Sequence, residues 1–139
     1  MQYQKQIQDT QSALGSTPLH FAVLGQNMDT VKFILQHSPH VDVTNDYNET
    51  PLHWACQVGD ASIVALLISN GADINYQDSE KCTPLHWAAE QDHQEIIKIL
   101  KTKGADTSKK NIDNKTYIDM LESDKSSVRN LWQRLPFTV

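Results

Sequence analysis

The hexapeptide TPLHFA begins at Thr17, TPLHWA begins at Thr50, and TPLHWA begins again at Thr83. The spacing is 33 residues both times, and one more period reaches Thr116, which opens TYIDML. The register runs past the hexamer: Val31, Val64 and Ile97 align, as do Ile34, Leu67 and Leu100. A fixed period of this length means that one supersecondary unit recurs and that neighbouring units bury their apolar faces on each other. The chain is therefore expected to fold as a stack.

One unit can be read from its residues. Thr50 is placed to accept a hydrogen bond from a free N–H of a helix first turn, and Pro51 follows where a missing N–H costs nothing. Leu52, Ala55 and Cys56 fall on one helical face, and Gly59 ends the helix. A second helix is predicted over 61–69, with Ile63, Val64, Leu67 and Ile68 at helical spacing and Gly71 at its left-handed end. A polar, turn-forming stretch, ADINYQDSEKC, leads to the next Thr-Pro. Helices this short are marginal alone in water, so at least three units must stack. Four are expected, at about 12–44, 45–77, 78–110 and 111–139, as one domain behind a Gln-rich segment 1–11.

This pattern resembles the ankyrin-repeat family, whose period and T-P-L-H-x-A motif it shares from about Ser12 to Leu135. The resemblance implies an all-α solenoid of helix-turn-helix units joined by extended, hairpin-like loops. It also implies that Thr17, His20, Thr50, His53, Thr83 and His86 are structural, each His tying its unit together through the Thr hydroxyl and neighbouring backbone. The departures carry information too. Gln26 stands where the second unit has Gly59, and Ser38-Pro39 replace Gly71-Ala72. The fourth unit has Tyr117 and Asp119 for Pro and His, and its second-helix apolar residues Val128, Leu131, Trp132 and Leu135 are shifted by about one position. Those changes suit a terminal cap, so the array is expected to end inside this chain.

Chemistry is weighed against that scaffold. His53 and Cys56 are one helical turn apart, but a metal site needs further ligands converging in space. Cys56 aligns with Val23 and Ala89 and reads as a small buried hydrophobe, whereas Cys82 lies in a loop and is expected to be more exposed. No nucleophile–base–orienter pattern, phosphate loop or carboxylate pair stands out, so no catalytic, metal or cofactor site is expected. The net charge of −5 argues against nucleic acid, and the longest apolar run, Ile63–Ile68, is far short of a membrane span. Two Cys make no disulfide framework, which fits a reducing compartment, cytoplasmic or nuclear.

What is left is a surface, and a monomer that binds another protein or peptide through it. The family resemblance places partner contacts on a concave groove made by loop tips and first helices. Carried onto this sequence, the tips are Asp46, Tyr47, Glu49, Glu80 and Asp113. The first helices add Leu24, Gln57, Val58, Glu90 and Gln91, and an inner row holds Phe21, Trp54 and Trp87. The two Trp side chains are expected to be half-buried between units, either packing only or packing and meeting a partner. Residues 45–77 carry four acids and no Lys or Arg, while 78–110 carry six charges of each sign. A basic segment is the expected partner near the second and third units; a solvated acidic surface is the competing reading. An ankyrin module of a larger regulatory or enzymatic protein is the alternative role. Asn75 in LLISNGADIN is similar to the pattern accepted by an ankyrin-directed asparaginyl hydroxylase, against the simpler reading that it bonds the turn.

Overall fold

The computed structural model describes residues 15–38 and 40–126, with side chains through Leu121. Among these residues seven helices follow one another: α1 (Pro18–Leu24), α2 (Met28–His37), α3 (Pro51–Val58), α4 (Ala61–Ser69), α5 (Pro84–Glu90), α6 (Gln94–Thr102) and α7 (Tyr117–Ser126). Among the described residues there is no strand and no helix long and apolar enough to cross a membrane. The segment 1–11, Pro39 and the apolar residues expected after Ser126 lie outside the described residues.

The helices start where the capping chemistry puts them. Thr17, Thr50 and Thr83 are N-caps in extended conformation, and each is followed by Pro at the first helical position. Asn27 and Asp60 cap α2 and α4 by accepting backbone N–H bonds. His93, at the same position of the third unit, makes no such bond. Its Nε2 reaches back 3.2 Å to the Gln57 carbonyl of the preceding unit.

Stacking buries what the helices cannot bury alone. First helices pack in series, α1 on α3, α3 on α5 and α5 on α7, while α4 packs on α6. Leu52, Ile63, Leu67, Leu85, Ile96 and Leu100 are fully buried between layers. Each such side chain contributes on the order of 2 kcal/mol of apolar transfer.

A polar clamp runs through this apolar stack. The Nδ1 of His53 accepts the Thr50 backbone N–H at 3.1 Å and lies 2.9 Å from the Thr50 hydroxyl. A backbone N–H can only donate, so Nδ1 carries no proton and Nε2 does. Nε2–H then donates across the repeat boundary to the Cys82 carbonyl, 2.9 Å away. His20 makes the same bridge to the Glu49 carbonyl and His86 to the Lys115 carbonyl, both at 2.8 Å. The same Thr–His–carbonyl geometry is thus present three times. In the fourth unit Asp119 replaces His and accepts the Thr116 backbone N–H at 3.0 Å and its hydroxyl at 3.2 Å. A carboxylate reproduces the inward half of the clamp and lacks the donor for the outward half.

The turn between the two helices of each of the first three units needs a left-handed residue. It is Gly59 in the second unit (φ 91°), Gln26 in the first (φ 55°) and Asp92 in the third (φ 56°). Gly59 is doubly constrained, because a Cβ there would lie 2.7 Å from the His93 ring. Gly71 has a similar φ of 93° but open space around it. Gly71→Ala is therefore expected to cost about 1 kcal/mol, from backbone strain alone. Gly59→Ala should cost about 2 kcal/mol, and the excess should vanish in a His93→Ala background. Urea unfolding of the four variants measures this cycle; equal costs at the two glycines would rule out the steric contact.

Candidate partner-binding surface

The long loops end in three copies of one turn. Asn45 Oδ1 accepts the N–H groups of Tyr47 and Glu49, both at 3.0 Å. Asp78 Oδ1 does the same for Glu80 and Cys82, and Asn111 Oδ1 for Asp113 and Lys115. Each turn closes through a left-handed residue, Asn48, Lys81 or Asn114. The tips are then laced together by backbone, Ser79 N–H to the Tyr47 carbonyl at 2.9 Å and Ile112 N–H to the Glu80 carbonyl at 2.8 Å. The tip row is a pre-organised ledge whose own side chains project from a backbone already satisfied.

Asn45, Asp78 and Asn111 build this ledge and are absent from the residues singled out by sequence. The signal was available, since they too recur every 33 residues. Asn and Asp are the residue types that bond their own backbone two residues on.

The structure sorts the predicted contact residues into three groups. Asp46, Tyr47, Glu80 and Asp113 are exposed on the tips. Phe21, Leu24, Trp54, Gln57, Val58, Glu90 and Gln91 are half-buried along the first helices. Glu49 is half-buried and structural in its bonding: Oε1 accepts Trp54 Nε1–H and Asn45 Nδ2–H, both at 2.9 Å. Half-burial of both indoles is corrected for Trp87, which is 8% exposed and donates Nε1–H to Asp78 at 3.0 Å. Trp54 keeps an open flank, packed edge-on against the Phe21 ring at 5.9 Å and the His20 ring at 5.0 Å. Ile112 was not predicted, yet it stands 63% exposed on the third tip.

The expected exposure of Cys82 is also corrected. It is 7% exposed, because its N–H is tied to Asp78 and its carbonyl to His53. Cys56 is fully buried, and burial pushes its thiol far above the ordinary range. Burial likewise lowers the three clamp histidines, His20 to about 4. Among the described residues no three His, Cys, Asp or Glu side chains come together to hold a metal ion. Asn75 Oδ1 accepts the Asp106 N–H at 2.7 Å, and Asp42 accepts the Asp73 N–H one unit earlier. The side chain thus links the outer turns of adjacent units.

Compared with models of known families, residues 2–78 and 40–111 match ankyrin repeats in three copies. The chain is an ankyrin-repeat protein. No curated protein matches it. The ankyrin fold is a non-catalytic scaffold for protein–protein interaction. The all-α solenoid that the family resemblance implies is the fold observed.

Proposed function

We propose that this ankyrin array is an adaptor that binds a basic segment of a partner protein along the tip ledge of its second and third units. The observation that supports this reading is the sign and placement of charge. Asp46 and Glu80 are exposed on successive tips, and residues 45–77 hold no Lys or Arg. Tyr47, 47% exposed, and the open flank of Trp54 lie beside them and supply apolar contact. A half-buried aromatic flanked by acids suits a Lys or Arg side chain, whose stem packs while its head pairs. Leu24, Gln57, Val58, Glu90 and Gln91 form the floor of the groove in this reading, and Asp113 its far rim.

The test is a pair of double variants. Asp46→Lys/Glu80→Lys changes exposed tip charges, and is expected to slow association with Lys/Arg-rich peptides about tenfold or more at low salt. Urea unfolding of the same variant separates an effect of charge on association from an effect on the fold. Asp46→Lys/Glu49→Lys should also lower stability, because it removes the acceptor of Trp54 and Asn45. Association rates insensitive to both the tip charges and salt would sink the reading. Modification at Asn75 belongs to the same proposal as a means of regulation, and mass spectrometry of the native protein decides it.

A further inference from the structure

The tip ledge fixes a spacing as well as a charge. Each tip leads directly into a first helix, 45–48 into α3, 78–81 into α5 and 111–114 into α7. Those helices pack in series, so the tips recur at the separation of packed helix axes, roughly 8–10 Å. The backbone bonds from Ser79 to Tyr47 and from Ile112 to Glu80 hold neighbouring tips together along the row. An extended chain advances about 3.3 Å per residue, so about three residues reach from one tip to the next. A pleated strand turns every second side chain to one face and does not match that interval. A polyproline II segment does, with three residues and about 9 Å per turn.

The third tip differs chemically from the first two. Ile112 stands where the first tip has Asp46 and the second has Ser79, and all three positions are exposed. Exposure there is thus a property of the turn, and the residue type is what changes. The fold makes no use of the Ile112 side chain, which is 63% exposed. Asn111 Oδ1 closes the turn around it, and its own N–H is bonded to the Glu80 carbonyl. The row therefore reads acid and Tyr on the first tip, Ser and acid on the second, and an aliphatic residue on the third. We propose that the partner segment lies on the ledge as a polyproline II stretch and is read at every third residue. Two basic side chains meet the first and second tips, and an aliphatic side chain three residues further along packs on Ile112. This specificity rests on the basic-segment reading above and adds to it a spacing and an apolar anchor, the kind of contact in which binding energy concentrates.

Fluorescence anisotropy of labelled peptides with the full chain tests it. The probe is Lys-x-x-Lys-x-x-Leu with Ser and Pro at the x positions, titrated in both chain directions. In the better direction it should bind about fivefold more tightly than the same peptide with Ser for Leu, or with Leu moved by one residue. Ile112→Ser should abolish that preference, and Ile112→Asp should turn it toward Lys at the Leu position. Urea unfolding of both variants reports whether the fold is intact. A Leu peptide no tighter than the Ser or Lys peptide overturns the proposal, as does a Leu preference that survives Ile112→Ser. Peptides that answer to salt and to Asp46→Lys/Glu80→Lys, but not to the Leu position, refute the spacing and the anchor alone. Peptides that fail to bind at any composition refute the basic-segment reading as well.

Discussion

A His53→Ala variant is expected to lose roughly 3–5 kcal/mol of stability, enough to unfold much of a marginal array. Three losses combine. The ring is fully buried, so its removal leaves a cavity between the second and third units. The Thr50 N–H loses its acceptor in a site with no water-exposed alternative. The Cys82 carbonyl loses the donor that crosses the repeat boundary. Leaving buried polar groups unpaired costs more than the bonds themselves contribute. The neighbouring aromatic rings of Tyr76 and Trp87, 6.4 and 5.4 Å from the His53 ring, also lose a packing partner. The same truncation at Asp119 should cost far less, because that side chain is exposed and bridges no boundary. Urea unfolding followed by Trp fluorescence compares the two. An equal, small effect at both positions would mean that the inter-repeat bond of His53 carries little weight.

That asymmetry shows what the sequence could and could not disclose. Helix limits, Thr caps and the left-handed Gly71 are local properties, and a Thr-Pro hexamer written three times marks the caps plainly. The second helix of the second unit falls at Ala61–Ser69, as the apolar spacing predicts. Left-handed Gln26 was not legible, because Gln carries no preference for a positive φ, whereas Asp92 is of a type enriched there and offered a weak signal that went unread. Side-chain partners were harder still. Glu49 reads as a surface acid of a loop tip, but its carboxylate is spent on Trp54 and Asn45. The equivalent Trp87 takes its acceptor from a different position, Asp78. Periodicity aligns positions; it does not reveal that two aligned indoles solved the same burial problem with acids four residues out of register. The loop tips are legible only to that extent. Exposed Asp46, Tyr47, Glu80 and Asp113 were found, and the Asx residues that hold them in a row were not.

The second large effect is acid sensitivity between about pH 6.5 and pH 4. In the folded array Nδ1 of each clamp histidine faces a backbone N–H. A proton on Nδ1 would set donor against donor in a buried site, so the folded state resists protonation. Burial is the main cause, and it lowers His20 to about 4 and lowers His53 and His86 as well. The unfolded chain protonates near the ordinary 6.5. Above that pH both states are neutral and the clamps contribute fully. As pH falls below it, the unfolded state binds protons that the folded state refuses, and stability drops with each one. For His20 the loss is complete near pH 4 and is on the order of 3 kcal/mol. His53 and His86 are shifted in the same direction as His20, so each should steepen the fall of stability below pH 6.5. Exposed Asp119 and Asp106 are held below the usual carboxylate range, Asp119 chiefly by the Thr116 N–H and Asp106 by Ser108. Their contribution to the slope begins only below about pH 5, where the unfolded carboxylates start to take up protons, so the fall of stability above that pH is not theirs. Urea unfolding at steps from pH 7.5 to 4.5 measures it, and His20→Gln should reduce it by about one proton. A flat profile across the window would require clamp histidines that protonate as readily folded as unfolded. That is incompatible with rings whose two nitrogens are committed, one to a Thr N–H and the other to the carbonyl of the next repeat.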